Sequence, residues 1–171
     1  LEGISQYYVY LNSDKEKYDT LKDLYSLISM SQSIIYCNSV PRVIELYKQM
    51  TNDNFPVCCI HSSQSKEERS ASYNNFKTGK FRVLLSTNLT ARGIDVQQVS
   101  TVINYDIPKD KHIYLHRIGR SGRWGRKGIG INFLTKRETK LLGEIECYYH
   151  TEINELPEDF NWGRIFFWAV K

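Results

Sequence analysis

The chain has 171 residues, of which 41% are apolar and 13% aromatic, enough for one domain with a proper core and too apolar for global disorder. Twenty-three basic against nineteen acidic residues leave a formal charge of +4, a mild bias that tolerates an anionic partner without demanding one. No signal-peptide pattern and no apolar run long enough to cross a bilayer is present, so a soluble chain without membrane contact is expected. Cys37, Cys58, Cys59 and Cys147 lack Cys-x-x-Cys spacing, and reduced, buried thiols are the expectation. Cys58 and Cys59 are neighbours and would alternate to opposite faces of a strand. The chain opens at Leu1 and its only methionines are Met30 and Met50, so it reads as a piece of a longer protein.

Taken in order, Tyr7 to Leu11 predicts a strand, and Leu21, Leu24, Tyr25 and Ile28 recur at helical spacing. Ile34-Ile35-Tyr36-Cys37 is a buried-strand run, followed by Ser39 as an N-cap, Pro41 in the first turn and a Val43-Leu46-Tyr47-Met50 stripe. Val57 to Ile60 predicts a strand, Ser65 and Glu68 have capping-box spacing, and Gly79 is a helix stop. Val83 to Ser86 and Val102 to Tyr105 are further strands, with a helix from about Lys109 to Ile118 after the second. Gly130 to Leu134 is the last strand, and Leu141, Leu142, Ile145 and Tyr149 mark a final helix. Strands without polar alternation, separated by helices, predict an α/β fold with a parallel sheet covered on both faces. In such sheets function lies beyond the carboxyl ends of the strands. The loops after Tyr36, Ile60, Leu85 and Tyr105 are the places to search.

Two segments carry chemistry. From His116 to Gly128, arginines recur at 117, 120, 123 and 126 and glycines at 119, 122, 125 and 128, with no acid among them. So much glycine predicts a loop at a helix end. Guanidinium groups so crowded call for an anion to neutralise them, and the planar fork of arginine matches phosphate oxygens. A solvated basic turn is the plain alternative. Ser86 to Asp95 follows a buried strand and offers Thr87 and Asn88 as donors, Gly93 for close approach and Asp95 as an acceptor for a ribose hydroxyl or a helix cap.

Together these segments resemble the DEAD-box branch of superfamily 2 helicases. Ala91-Arg92-Gly93-Ile94-Asp95 is similar to motif V, and His116 to Arg123 matches His-Arg-Ile-Gly-Arg-x-Gly-Arg, motif VI, at every fixed position. Ile35 to Ser39 resembles motif IV, Phe76-Lys77-Thr78-Gly79 motif IVa, and Asn104-Tyr105-Asp106-Ile107-Pro108 the Asn-Tyr-Asp-x-Pro segment. The resemblance spans about residues 4 to 157 and implies a second RecA-like lobe over 1–160, with an atypical hydrophobic tail at 161–171. That tail could pack on the domain, dock a partner or be foreign to the native protein. Asp95 to Val99 and Arg126-Lys127-Gly128 look most like the initiation factor four A subfamily, with its exon-junction sibling close behind.

The resemblance assigns roles by position. Arg120 and Arg123 would be arginine fingers on the ATP γ-phosphate, with Gly93 and Asp95 near the ribose. Arg117 and His116 would couple to the carboxylate motif of the other lobe. Asn38, Ser39, Arg69, Gly79, Thr87 and Asn88 would line the RNA backbone, read without regard to sequence. The family's Gln-x-x-Arg stands here as Lys66-Glu67-Glu68-Arg69, so Arg69 alone carries over.

What is missing matters as much. Gly79-Lys80 is followed by Phe81, so no phosphate cradle of the Gly-x-x-x-x-Gly-Lys-Ser/Thr kind exists, and the Asp-Glu-Ala-Asp box is absent. ATP and Mg2+ would therefore sit mainly on an N-terminal DEAD lobe, and this piece alone should not hydrolyse ATP. A cysteine phosphatase fails because the residues six beyond each cysteine are Val43, Gln64, Ser65 and Ile153. His112 and His116 lack the glutamate a zinc hydrolase needs, with Ile113 in its place, and no metal site is expected. A scaffold of the initiation-factor type and a cytoplasmic location are implied by the resemblance, or a nuclear one for an exon-junction relative. The rival reading is a non-catalytic lobe that binds RNA or a scaffold.

Overall fold

Ile34, Ile35 and Tyr36 are all fully buried, because the strand they form is flanked by strands on both edges and helices on both faces. The computed structural model describes residues 1, 3–88, 99–119 and 128–157. Within these, β1 (Ile4–Tyr10), α1 (Asp14–Ile28), β2 (Gln32–Tyr36), α2 (Val40–Asn52), β3 (Cys58–Ile60), α3 (Lys66–Lys77) and β4 (Val83–Ser86) follow one another. Then come β5 (Val99–Asn104), α4 (Lys111–Ile118), β6 (Gly128–Leu134), α5 (Thr139–Tyr149) and β7 (Ile153–Glu155). The seven strands pair in the order β3-β4-β2-β5-β6-β1-β7, all parallel. This is the parallel α/β sheet expected from the unalternated apolar runs, and the RecA-like lobe that the family resemblance implies.

Period-two alternation divides the core in two. Ile35, Cys37, Cys59, Leu85 and Ile103 face α1 and α2, which contribute Leu21, Ile28, Val43, Leu46 and Met50. Ile34, Tyr36, Cys58, Leu84 and Val102 face the other side, under Phe76 of α3, Tyr114 and Ile118 of α4, and Leu142 and Ile145 of α5. Cys58 and Cys59 thus fall on opposite faces, as neighbours in a strand must.

The helix ends obey their caps. Ser39 caps α2 with Pro41 in its first turn, and Ser65 and Glu68 close a reciprocal capping box on α3. Gly79 follows α3 at φ +81°, a conformation L side chains rarely adopt. Asp110 caps α4, so that helix begins two residues later than its apolar spacing suggests. On the edge strand β3, the Gln64 amide donates to the Cys59 carbonyl and accepts from the His61 N–H, standing in for a neighbouring strand. Two differences from expectation have simple causes. β1 starts at Ile4, where polar Ser5 and Gln6 hide the strand pattern. The three-residue β7 buries only Ile153 and leaves no apolar run to notice.

All four cysteines are free, and Cys147 is exposed rather than buried as expected, because it lies on the outer face of α5. Burial pushes the Cys58 thiol up to about 12 and the Cys59 thiol up to about 11, and raises Cys37 well above the ordinary range. A thiol reagent at neutral pH is therefore expected to label Cys147 quickly in the native chain and the other three only after denaturant is added. Counting labels by mass before and after unfolding checks this.

Candidate nucleic-acid and nucleotide interface

The carboxyl ends of β2, β4 and β5, adjacent in the sheet, bring together residues from three distant stretches of sequence. At their centre lies Arg117, from the last turn of α4, with no exposed surface. Its Nε donates to Asn88 Oδ1 at 2.7 Å. Nη1 donates to Asn104 Oδ1 at 3.1 Å and to the Asp106 carbonyl at 2.8 Å. Nη2 donates to Asn38 Oδ1 at 2.8 Å and to the Cys37 carbonyl at 3.4 Å. Each of the guanidinium's five N–H groups has its own acceptor. The group also lies over the Tyr36 ring, 5.2 Å from its centroid.

Every one of these acceptors is a neutral oxygen. The expectation that a crowded guanidinium must meet an anion fails at Arg117, since five aligned dipoles replace the lost water without a counter-charge. Burial pushes its pKa down to about 10, against the pull of Tyr36, Cys37 and Asp106, so it stays charged at neutral pH. All five donors of Arg117 are met by oxygens of this lobe.

A second cluster touches the first through Asp106, which is 8% exposed. Its carboxylate accepts from Arg42 Nη2 at 2.6 Å, Arg42 Nε at 3.2 Å, Lys17 Nζ at 3.2 Å and the Asn38 N–H at 3.0 Å. Arg42 also reaches Asp14 at 2.7 Å, so two cations and two carboxylates balance. Burial pushes the Asp106 carboxyl up, but the Arg42 hydrogen bonds, the Asn38 N–H and the Lys17 and Arg42 charges outweigh it and hold it below the ordinary range.

The residues singled out in the sequence fall into place unevenly. Asn38 is exposed but pinned at both ends, its Oδ1 by Arg117 and its Nδ2 on the Ile107 carbonyl at 3.0 Å. Ser39 caps α2 by accepting from the Arg42 N–H. Thr87 and Asn88 are half-buried at the end of β4, Arg69 is half-buried in the first turn of α3, and Gly79 follows that helix. His116 is exposed on the last turn of α4. Arg120, Arg123, Gly93 and Asp95 lie outside the described residues, as does the 161–171 tail. Among the described residues no three His, Cys, Asp or Glu side chains gather as a metal set would, and no helix is long and apolar enough to cross a membrane.

Sequence reasoning missed the polar side chains that hold these residues. Lys17 and Arg42 sit in ordinary-looking helical contexts, and nothing in their spacing links them to Asp106, which the sequence marks only as part of the Asn-Tyr-Asp-x-Pro segment. Asn104 and Asn132 gave a fainter signal, each a polar residue inside an apolar strand run.

Residues 16–125 match the model of the helicase conserved C-terminal domain, and the chain belongs to that family. Within it, this is the C-terminal lobe of a DEAD-box helicase. Eukaryotic initiation factor 4A of Caenorhabditis elegans is 49% identical over 158 residues, covering 92% of this chain and 39% of that protein. The ATP-dependent RNA helicase FAL1 of Scheffersomyces stipitis is 50% identical over 161 residues, covering 94% and 40%. The chain thus spans about two fifths of the length of the curated relatives it matches. FAL1 stands level with initiation factor 4A, so the initiation subfamily suggested by Asp95 to Val99 is not singled out. Among solved structures, S. cerevisiae Dbp5 L327V bound to RNA and ADP BeF3 superposes with a TM-score of 0.89 at 33% identity, covering 98% of this chain and 44% of that one. The C-terminal domain of the DEAD-box protein Dbp5 superposes at 0.81 and 34% identity, covering 96% and 95%.

Two outcomes follow from this geometry. Arg117→Lys keeps the charge but offers three donors to five acceptors, and is expected to cost about 2–5 kcal/mol in urea denaturation. Asp106 is more acidic folded than unfolded, so the unfolded chain takes up its proton first as pH falls. Its contribution is full above the ordinary carboxylate pKa and disappears as pH drops through the folded value. Denaturation midpoints between about pH 5 and pH 2 should fall more steeply for the parent than for Asp106→Asn, which starts lower at neutral pH.

Proposed function

We propose that this chain is the second motor lobe of an ATP-dependent RNA helicase, acting on ATP held by an N-terminal DEAD lobe and binding the RNA sugar-phosphate backbone. The observation that carries the reading is the pinning of Asn38 and Asn88, on two different strand ends, by one buried guanidinium. Both belong to the set the family resemblance assigns to RNA, and both are locked in orientation before any ligand arrives. Among the described residues the Asn38 amide spends one N–H on the Ile107 carbonyl, and its other N–H is what would meet a phosphate or 2′-hydroxyl. That S. cerevisiae Dbp5 has been solved with RNA and ADP BeF3 gives the pairing of ligands a precedent.

In this reading Arg120 and Arg123 reach the ATP γ-phosphate on closure of the two lobes, a contribution of about 10³–10⁵ in rate for arginine fingers. Gly93 and Asp95 approach the ribose, and His116 and Arg117 serve coupling between lobes, His116 from the surface and Arg117 from within. Arg69, Gly79 and Thr87 extend the RNA path. Mg2+ belongs with the phosphates on the first lobe. RNA is bound without regard to sequence, since phosphates and 2′-hydroxyls are what these groups can read. A translation-initiation role with a scaffold partner in the cytoplasm fits the likeness to initiation factor 4A; a nuclear role fits the alternative subfamily.

Joining the chain to a DEAD-bearing first lobe tests this. RNA-stimulated ATP hydrolysis should appear on joining and fall by about 10³-fold or more with Arg123→Ala. A hydrolysis rate indifferent to Arg123, with RNA binding retained, would instead mark a non-catalytic binding lobe.

A further inference from the structure

The amides of Asn104 and Asn132 face each other across β5 and β6, where the two residues are register partners. Both are fully buried. Asn104 Nδ2 donates to Asn132 Oδ1 at 2.8 Å, while Asn104 Oδ1 accepts from Arg117. Asn132 Nδ2 donates to the Tyr7 main-chain carbonyl at 3.1 Å and to the Tyr114 hydroxyl at 3.2 Å. That hydroxyl spends its own hydrogen on Gln6 Oε1, so towards Asn132 it can only accept.

The two ends of this row have fixed polarity. A guanidinium can only donate and a main-chain carbonyl can only accept. Between them lie two amides, each able to flip. Turning Asn132 over would set its oxygen against the Tyr7 carbonyl and its NH2 against the NH2 of Asn104. Relieving that second clash would turn Asn104 over and bring an N–H against Arg117. One orientation satisfies every group, and it is fixed from both ends, by Arg117 and by the Tyr7 carbonyl of β1, three strands away from β2.

We propose that Asn132 is a positioning residue for the RNA-binding site: anchored on β1, its amide orients Asn104 so that Arg117 is held and Asn38 and Asn88 are presented. It acts through Arg117 and touches no ligand. The inference rests on the reading of Asn38 and Asn88 as RNA contacts for its functional consequence, and on geometry alone for its effect on Arg117.

Exchange of the Arg117 Nε–H with solvent, followed by NMR on the 15N-labelled chain, tests it. The signal is assigned by its loss in Arg117→Lys, and the backbone amide of Ile35 monitors global opening. Asn132→Leu removes the orienting oxygen and should speed Arg117 exchange about tenfold or more relative to Ile35. Asn132→Asp keeps an oxygen towards Asn104, and its second oxygen, protonated, donates to the Tyr7 carbonyl. Exchange relative to Ile35 should then stay within about twofold of the parent, even though stability falls. If Asn132→Leu leaves Arg117 exchange unchanged, or Asn132→Asp speeds it equally, the proposal is overturned. Should Asn132→Leu fail to fold, the Asn132→Asp arm decides alone, and loss of Arg117 protection there overturns it. In the joined two-lobe protein, Asn132→Leu should raise the KM for RNA severalfold, with the loss falling on KM rather than kcat, and Asn132→Asp should restore it. A parent without RNA-stimulated hydrolysis would sink the helicase reading and leave the exchange result standing.

Discussion

A charged guanidinium with no exposed surface is the constraint around which this lobe is organised. Taking such a group out of water costs several kcal/mol unless its donors are met. Arg117 meets all five on oxygens from the turns after β2 and β4, β5 and the turn after β5, with the Tyr36 ring beneath. The strand ends cannot drift apart without stranding a donor, so Asn38 and Asn88 inherit the rigidity of the sheet. The absence of a carboxylate from the set has its own logic. Neutral oxygens hold the charge in place without cancelling it, so the guanidinium keeps its positive charge at the carboxyl ends of the strands.

Asp106 ties this centre to the opposite face. Its carbonyl accepts from Arg117 while its carboxylate gathers Lys17, Arg42 and the Asn38 N–H. One residue therefore joins α1, α2 and α4 at the same end of the sheet, and Asn38 is gripped through both backbone and side chain. Such doubly held residues are what a preorganised binding surface needs, because little conformational entropy remains to be lost on binding.

The polar row through Asn104, Asn132 and Tyr114 carries the same economy deeper. It is directional from end to end, and each amide is locked by the one before it. A buried network with every member satisfied specifies a single arrangement, whereas an unpaired member would cost more than an apolar replacement.

How much of this was legible beforehand follows from range. Elements whose signals are local were visible: the Ile34 to Cys37 run, the Ser39 and Ser65 caps, the stop at Gly79 and the facing-apart of Cys58 and Cys59 depend only on near neighbours. The family likeness was legible too, because motif VI packs its fixed residues into His116 to Arg123. The sequence by itself therefore determined the parallel α/β architecture and the basic, glycine-rich segment that marks the helicase lobe. Only the tertiary structure decided that Arg117 turns inward, that Asp106 collects Lys17 from 89 residues away, and that Asn132 faces Asn104. The reason is physical. Propensity and capping act over a few residues of chain, but a buried polar group is fixed by whichever acceptors the sheet order β4-β2-β5-β6-β1 brings beside it, and that order is set by the packing of both core faces at once.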